Sequence, residues 1–340
     1  MAGLVAAARA SELGAEVAVH EKGDRPGGSM RLSSCFVWRY REWERFRAEC
    51  PGGEPELQRV VWEGLDEALG WLESLGAPVV TRETGNPLTV GVRFDPEGLT
   101  QTLAARAGEI RLDDPLARLP DGVPVLLATG GFQGSRELVR EHITPEAEAL
   151  RLRANPWSAG DGLGLALGAG AELSAGMHEF YGRNLAAAPR IRPEDFVPLA
   201  QVYAREAVVE NLRGERYEPL TWSEIDVVQW TARQPGARAR YVVPDSALGA
   251  TVRERTVAEV IEAARHAGAP VERRAGATVV EVVAGITTTL GGIRIDRTAR
   301  AADGVYAAGA DAGGISTGGW SSALASALVF GRIAAESALS

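Results

Sequence analysis

Leu4, Val5, Ala7, Ala8 and Leu13 recur near helical spacing behind Gly3, so the chain opens on a helix that Gly14 ends. Glu16-Val17-Ala18-Val19-His20 then alternates as a short strand, with Glu21 at its end. Residues 39–75 read as helices, with Trp62, Leu65, Leu69 and Leu72 as a packing stripe, and Gly76-Ala77-Pro78 closes them. Asp95-Pro96 predicts a capped helix start, with Leu99, Leu103 and Ala107 on one face. Ile110 to Leu116 is strand-like. Val123 to Leu127 reads as a buried strand running into Ala128-Thr129-Gly130-Gly131-Phe132. Ser158-Ala159-Gly160-Asp161-Gly162-Leu163-Gly164 opens a helix of small residues to about Ala171. Near the carboxyl end come a strand, an acidic turn, a glycine pair and a helix ending near Glu336. Strands and helices in alternation place the chain in the α/β class.

The first helix, the strand after it and Glu21 form the second half of a dinucleotide-binding βαβ unit. The full unit has a strand, then G-x-G-x-x-G, a helix, a second strand, and an acid roughly 20 residues on that holds a ribose hydroxyl. Met1-Ala2-Gly3 supplies only the final x-x-G, and Glu21 stands at the distance of the ribose acid. The first strand and two glycines are missing. A start assigned too far downstream, a deliberate truncation and gene decay all account for this. An ordinary α/β unit that binds no nucleotide is the alternative for this segment alone.

At 340 residues the chain is one large domain or two. Hydrophobic residues at 45% and charged residues at 24% supply a normal core and exclude disorder. Glycine, at 40 residues, exceeds the usual ~7%, and phosphate-cradling turns are one reason for such an excess. A net charge of -9 argues against a nucleic-acid partner. Cys35 and Cys50 make no disulfide framework, and His20, His142, His178 and His266 show no metal-like spacing. No apolar run reaches the ~18 residues of a membrane span. The amino end lacks a basic stretch followed by a cleavable apolar one. The chain therefore reads as cytoplasmic, with no metal, no nucleic acid and no membrane span.

After Glu21 comes Lys22-Gly23-Asp24-Arg25-Pro26-Gly27-Gly28-Ser29. Here the sequence resembles the flavoprotein subunit family of fumarate reductases and succinate dehydrogenases in its wider sense, which includes 3-ketosteroid dehydrogenases and tricarballylate dehydrogenase-like enzymes. In that family the stretch wraps the FAD adenosine and pyrophosphate, and Ser33 and Ser34 match its run toward the flavin ring. The run through Thr129, Gly130 and Gly131 resembles the family's ATGGF signature, although the meander expected between Leu119 and Val123 is short. The turn at Asp161 and Gly162 resembles a turn near the flavin phosphate and ribitol. Asn211-Leu212-Arg213-Gly214-Glu215-Arg216-Tyr217 resembles the family's N-x-x-G-x-R-F turn. Gly304 to Gly314 and the helix after Ser321, Ser322 and Leu324 are similar to its carboxyl-terminal FAD motif, with Gly309 and Asp311 in the turn.

The resemblance implies a Rossmann-like FAD-binding domain with a three-layer, mostly parallel sheet over residues 1–175 and 276–340. An inserted α+β capping domain covers 176–275. It implies FAD as the cofactor, held by Gly3, Glu21, Lys22, Gly27, Gly28, Ser29, Ser33, Ser34, Ala128, Thr129, Gly130, Gly131, Asp161, Gly162, Gly309, Asp311, Ser321, Ser322 and Leu324. It implies hydride transfer between a CH–CH group of a small carbonyl or carboxylate substrate and flavin N5, with an unknown electron partner. The fumarate clamp is absent: Ile315-Ser316-Thr317 follows Gly314, Trp222-Ser223-Glu224 stands where a proton-shuttling arginine is expected, and Thr288 replaces a histidine. Fumarate and succinate are therefore not the expected substrates. Tyr181, Arg183, Tyr203 and Thr288 are assigned to the substrate side, Tyr181 as acid or base and Arg183 for anion or carbonyl binding. Surface arginine and packed tyrosine are the competing readings of these residues. Two alternatives to the oxidoreductase remain: an inactive remnant that has lost FAD, and a redox-neutral isomerase or hydratase.

Overall fold

The computed structural model describes residues 1–219 and 223–340, so Trp222 lies outside the described residues. The chain begins with α1 (Ala2–Glu12), β1 (Ala18–His20), β2 (Phe36–Tyr40), α2 (Trp43–Glu49) and α3 (Pro55–Ser74). Next are β3 (Val79–Thr81), β4 (Thr89–Phe94), α4 (Pro96–Ala104), β5 (Glu109–Arg111) and β6 (Val125–Leu127). The middle holds α5 (Arg136–His142), β7 (Arg151–Leu152), α6 (Asp161–Gly168), β8 (Phe180–Ala186), β9 (Val208–Glu210) and α7 (Glu224–Ala232). Then come β10 (Arg238–Pro244), β11 (Thr251–Val252), β12 (Arg255–Thr256), α8 (Val257–His266), β13 (Val271–Arg274) and β14 (Ala277–Thr289). β15 (Arg300–Ala302), β16 (Val305–Ala307) and α9 (Ala323–Ala338) complete the chain. Two compact units result: Met1–Ser135, Asn155–Glu179 and Thr288–Ser340 form the first; Arg136–Ala154 and Phe180–Thr287 form the second.

In the first unit β1 pairs parallel with β5, and β6 pairs parallel with β16, whose other edge carries β15 antiparallel. α1 packs on α9, and α9 on α3, which buries Leu4 and Val5 of α1 and Leu65 and Leu72 of α3. The predicted cap of α4 is present: Gly98 N–H donates to Asp95 Oδ1 at 2.7 Å. Three predicted elements differ. β1 spans only Ala18–His20, because its pairing with β5 begins at Ala18, opposite Glu109. β5 stops at Arg111 rather than reaching Leu116; the chain turns at Asp113, whose φ is +52°. Residues 36–40 form a strand, paired antiparallel with β4, ahead of the helices expected from residue 39. Among the described residues no helix is long and apolar enough to cross a membrane.

The second unit is built on a six-stranded sheet in which long β14 pairs with β10, β13, β7 and β8. It extends beyond residues 176–275 because β7 lies parallel to β14 at Gly285 and Ile286, which draws Arg136–Ala154 into this unit. Tyr241, Val243, Val260, Ile261, Val280 and Val282 form its apolar core. α8 is fastened by a capping box: Glu259 N–H donates to Thr256 Oγ1, and Thr256 N–H to Glu259 Oε2. β8 passes so near β14 that a Cβ on Gly182 would lie 2.0 Å from the Gly285 carbonyl oxygen. Backbone cannot yield as a side chain does. Gly182→Ala is therefore expected to lower the thermal midpoint and to weaken the fold by about 1–3 kcal/mol.

Candidate functional site

Three segments far apart in the sequence meet in the first unit. α1 starts against the strand end after β6: a Cβ on Gly3 would stand 3.3 Å from that of Ala128. A Cβ on Gly309 would stand 3.2 Å from that of Ala2. The carboxylate of Asp311 ties the other two together. It accepts the N–H groups of Thr129, of Gly130 at 3.4 Å and of Gly131 at 2.9 Å, and the Thr129 hydroxyl at 3.1 Å. Asp311 is only 2% exposed; burial pushes its carboxyl up, against the pull of those four donors. Gly131 must be glycine, since its φ is +85° and a Cβ would lie 2.6 Å from Thr289 Oγ1. Gly162 N–H donates to Thr129 Oγ1 at 3.1 Å, so the start of α6 joins the same cluster.

The remaining predicted cofactor residues form two groups in the first unit. Lys22 Nζ and Asp161 Oδ2 meet at 2.6 Å across 139 positions of sequence. Glu21 Oε1 accepts the Gly23 N–H at 2.8 Å. Gly27 and Gly28 both have left-handed backbone, and Ser29 Oγ takes the Asn155 amide at 2.8 Å. Ser33 Oγ bridges Met30 O and Cys35 N–H, while Ser34 holds Arg93 through its carbonyl. At the other end Ser322 caps α9, Leu324 lies in its first turn, and Ser321 Oγ is 2.6 Å from Ser316 Oγ. The thiol of Cys35 is sealed, and burial pushes it up to about 12, so it is no thiolate at neutral pH.

A concavity at the start of α9 is lined by Thr288, Thr289, Gly309, Ala310, Trp320 and Ser326. Two of its hydroxyls, Thr289 Oγ1 and Ser326 Oγ, are buried with no partner among the described residues. Buried hydroxyls normally have one, so both are open to a polar ligand edge. With the backbone turns at 129–131 and 309–311 close by, the residues fit a flavin nucleotide. The positive end of α9 suits negative charge on the ring. A larger groove, about 560 Å³, runs past Arg41, Asp66, Arg82 and Glu83. None of the convergent glycine turns faces it, and we assign it no chemistry.

Of the predicted substrate-side residues, Thr288 belongs to the first unit and Tyr181, Arg183 and Tyr203 to the second. Arg183 lies over the Tyr181 ring, with its guanidinium carbon 4.8 Å from the centroid. Burial pushes the Tyr181 phenol up, yet Arg183, Arg153 and Arg253 together outweigh it and hold the phenol below its ordinary value. Tyr203 is placed differently from its predicted role. It is 1% exposed, packs edge-on against Tyr241, and donates its hydroxyl to Gln201 Oε1 at 2.7 Å. This is a core position, since a hydroxyl already satisfied inside an apolar cluster has no ligand to face.

The sequence reading missed Asn155, Arg153, Arg253 and the burial of Glu224. Asn155 joins Ser29 to the turn at Trp157 and Ser158, a role that appears only when residues 126 apart meet. Glu224 opens α7, and one oxygen accepts the Ala204 N–H at 3.0 Å. Its Oε2 is buried with no partner among the described residues. Burial pushes this carboxyl up, against Arg183, Arg253 and Arg205. Among the described residues no group of three or more His, Cys, Asp and Glu side chains is arranged to hold a metal.

Residues 121–322 match the family described as FAD binding domain, and residues 1–35 match the NAD(P)-binding Rossmann-like domain. No curated protein sequence matches the chain. Among solved structures it is similar to the open conformation of a flavocytochrome c3 fumarate reductase, with TM-score 0.72 and 21% identity over 99% of this chain and 76% of that one. It is similar to 3-ketosteroid-Δ4-(5α)-dehydrogenase from Rhodococcus jostii RHA1, solved with 4-androstene-3,17-dione, with TM-score 0.70 and 18% identity over 100% and 95% of the two chains. The 3-ketosteroid Δ1-dehydrogenase from Sterolibacterium denitrificans matches with TM-score 0.71 and 14% identity over 99% and 98%. At these identities the likeness is one of fold.

Proposed function

The chain belongs to the FAD binding domain family, and from that premise we propose that it is an FAD-dependent dehydrogenase or reductase acting at a CH–CH group beside a carbonyl or carboxylate. The observation that carries this reading is the junction at which residues 2–3 approach Ala128 and Gly309 while the Asp311 carboxylate holds the N–H groups of residues 129–131. FAD, when bound, supplies hydride acceptance or donation at N5. The protein's own residues do the rest. Asp311 keeps the N–H groups of the Thr129–Gly131 turn in one fixed array. Glu21 and Lys22 stand at the nucleotide's ribose end, and Ser322 with α9 at the ring end. In the second unit Tyr181 exchanges the proton of the carbon next to the hydride carbon, aided by its lowered pKa. Arg183 holds the carbonyl or carboxylate oxygen on which charge develops.

The test is reconstitution of the full chain with FAD. The expected result is a yellow protein that keeps its flavin absorbance through gel filtration and gives a saturable heat in calorimetry. A chain that stays colourless and takes up no FAD would falsify the redox reading. Lasting anaerobic bleaching by an electron-donating substrate then separates a dehydrogenase from a redox-neutral flavoprotein.

A further inference from the structure

The second unit holds three guanidinium groups that make no ion pair with a carboxylate among the described residues. Arg153 follows β7, and its N–H bonds the Ile286 carbonyl of β14 at 2.8 Å. Arg183 sits on β8, also paired with β14, and its carbonyl lies 3.1 Å from where a Cβ on Gly285 would be. The two arginines thus flank one stretch of β14. Arg153 reaches the Phe196 carbonyl at 3.3 Å and Thr287 Oγ1 at 3.0 Å. The β11–β12 hairpin is anchored to the same segment, since Arg255 donates to the Pro198 carbonyl at 3.2 Å. At its turn is Arg253, held at φ +58°, a backbone that side chains rarely adopt. Among the described residues the ion pairs of this unit fall elsewhere, those of Arg238 with Glu281, Arg273 with Asp245, Arg274 with Glu210 and Arg140 with Glu148 among them. Arg153 and Arg183 are half-buried, whereas Arg253, in the hairpin turn, is exposed; partial desolvation and mutual repulsion lower the pKa of Arg153 and Arg253. Cations gathered this way, without a protein counter-ion in contact, are arranged for an anionic ligand.

We propose that Arg153, Arg183 and Arg253, beside Tyr181, form a carboxylate-binding site, so that the ligand of the second unit is an organic acid and not a neutral ketone. Calling that ligand the substrate rests on the function proposed above. Guanidinium forks match the two oxygens of a carboxylate. Glu224 modulates the site. It is faced by Arg183 from β8, Arg253 from the hairpin, Arg205, Tyr217, Tyr203 and Tyr241 of β10. Protonated, it leaves Arg183 and Arg253 to the ligand. Ionised, it competes for them, so affinity falls as pH rises through its raised pKa.

Calorimetry on the full chain with cyclohexanecarboxylate, and with its uncharged methyl ester, tests the site. The acid is expected to bind at least ~10-fold more tightly than the ester, the worth of one charge-assisted hydrogen bond. Arg253→Asn keeps a residue that tolerates the left-handed turn, and Arg153→Gln keeps the polar head; each is expected to weaken the acid about 10-fold or more. Equal binding of acid and ester, or unchanged binding in Arg253→Asn and Arg153→Gln, overturns the proposal. A decline in acid affinity with rising pH that disappears in Glu224→Gln supports the part given to Glu224, and a flat wild-type profile removes it. The outcomes separate from the redox reading. A chain that binds the acid but no FAD keeps this site and loses the dehydrogenase, while a chain that binds FAD without preferring the acid does the reverse.

Discussion

Asp311→Ala is expected to abolish retention of FAD and to weaken the first unit by at least about 3 kcal/mol, since each buried donor left unpaired costs roughly 1–3 kcal/mol. Its carboxylate is the acceptor for three consecutive backbone N–H groups, Thr129 to Gly131, at a site with almost no access to water. Removing it strands all three donors. The turn then loses the geometry in which Gly131 adopts its left-handed backbone beside Thr289. Thermal unfolding and FAD titration of the same preparation measure the two effects. A stable Asp311→Ala chain that still holds FAD would mean that the junction is not the cofactor cradle. Asp311→Asn serves as the milder comparison: one amide oxygen replaces two carboxylate oxygens, so part of the array is kept.

Tyr181→Phe is expected to reduce turnover by roughly 10²–10⁴-fold, the usual contribution of a positioned acid or base, with FAD binding unchanged. The sign of its pH dependence follows from its surroundings. Arg183, Arg153 and Arg253 favour the phenolate over the phenol and so lower the pKa. In the dehydrogenation direction the phenolate is the base, so activity rises with pH through that lowered pKa and then levels off. Arg183→Gln removes the cation above the ring and moves this limb to higher pH, whereas Tyr181→Phe removes the limb altogether. A pH–rate profile with the same limb in wild-type and Tyr181→Phe protein would remove Tyr181 from the chemistry.

The helix starts were readable because their signals are local. Asp95-Pro96 specifies a cap through one side chain and one fixed φ, and α4 begins there. Residues 36–40 were not readable as a strand, since β2 exists by pairing with β4, roughly fifty residues later, and its aromatic run borders a genuine helix. β1 and β5 were each read too long for the same reason in reverse: the strand-like residues run beyond the three positions at which a partner strand is present. In the cofactor region the glycine turns and acids stood out as motifs, yet nothing in the order of residues said that Lys22 would pair with Asp161, or that Asp311 would bind the turn at Thr129. The opposite error was made at Tyr203, where an aromatic hydroxyl in a tract rich in arginine looked reactive and is packed away.

From its residues alone this protein was determined to be an α/β chain whose glycine-rich turns and strand-end acids suit a flavin dinucleotide. Those features depend on backbone freedom and charge at single positions, which neighbours in sequence already specify. Only the tertiary structure decided which charges stand together. Arg153 comes from the end of β7, Arg183 from β8, Arg253 from a hairpin turn and Glu224 from a helix start, so their mutual field exists only once the second unit has folded.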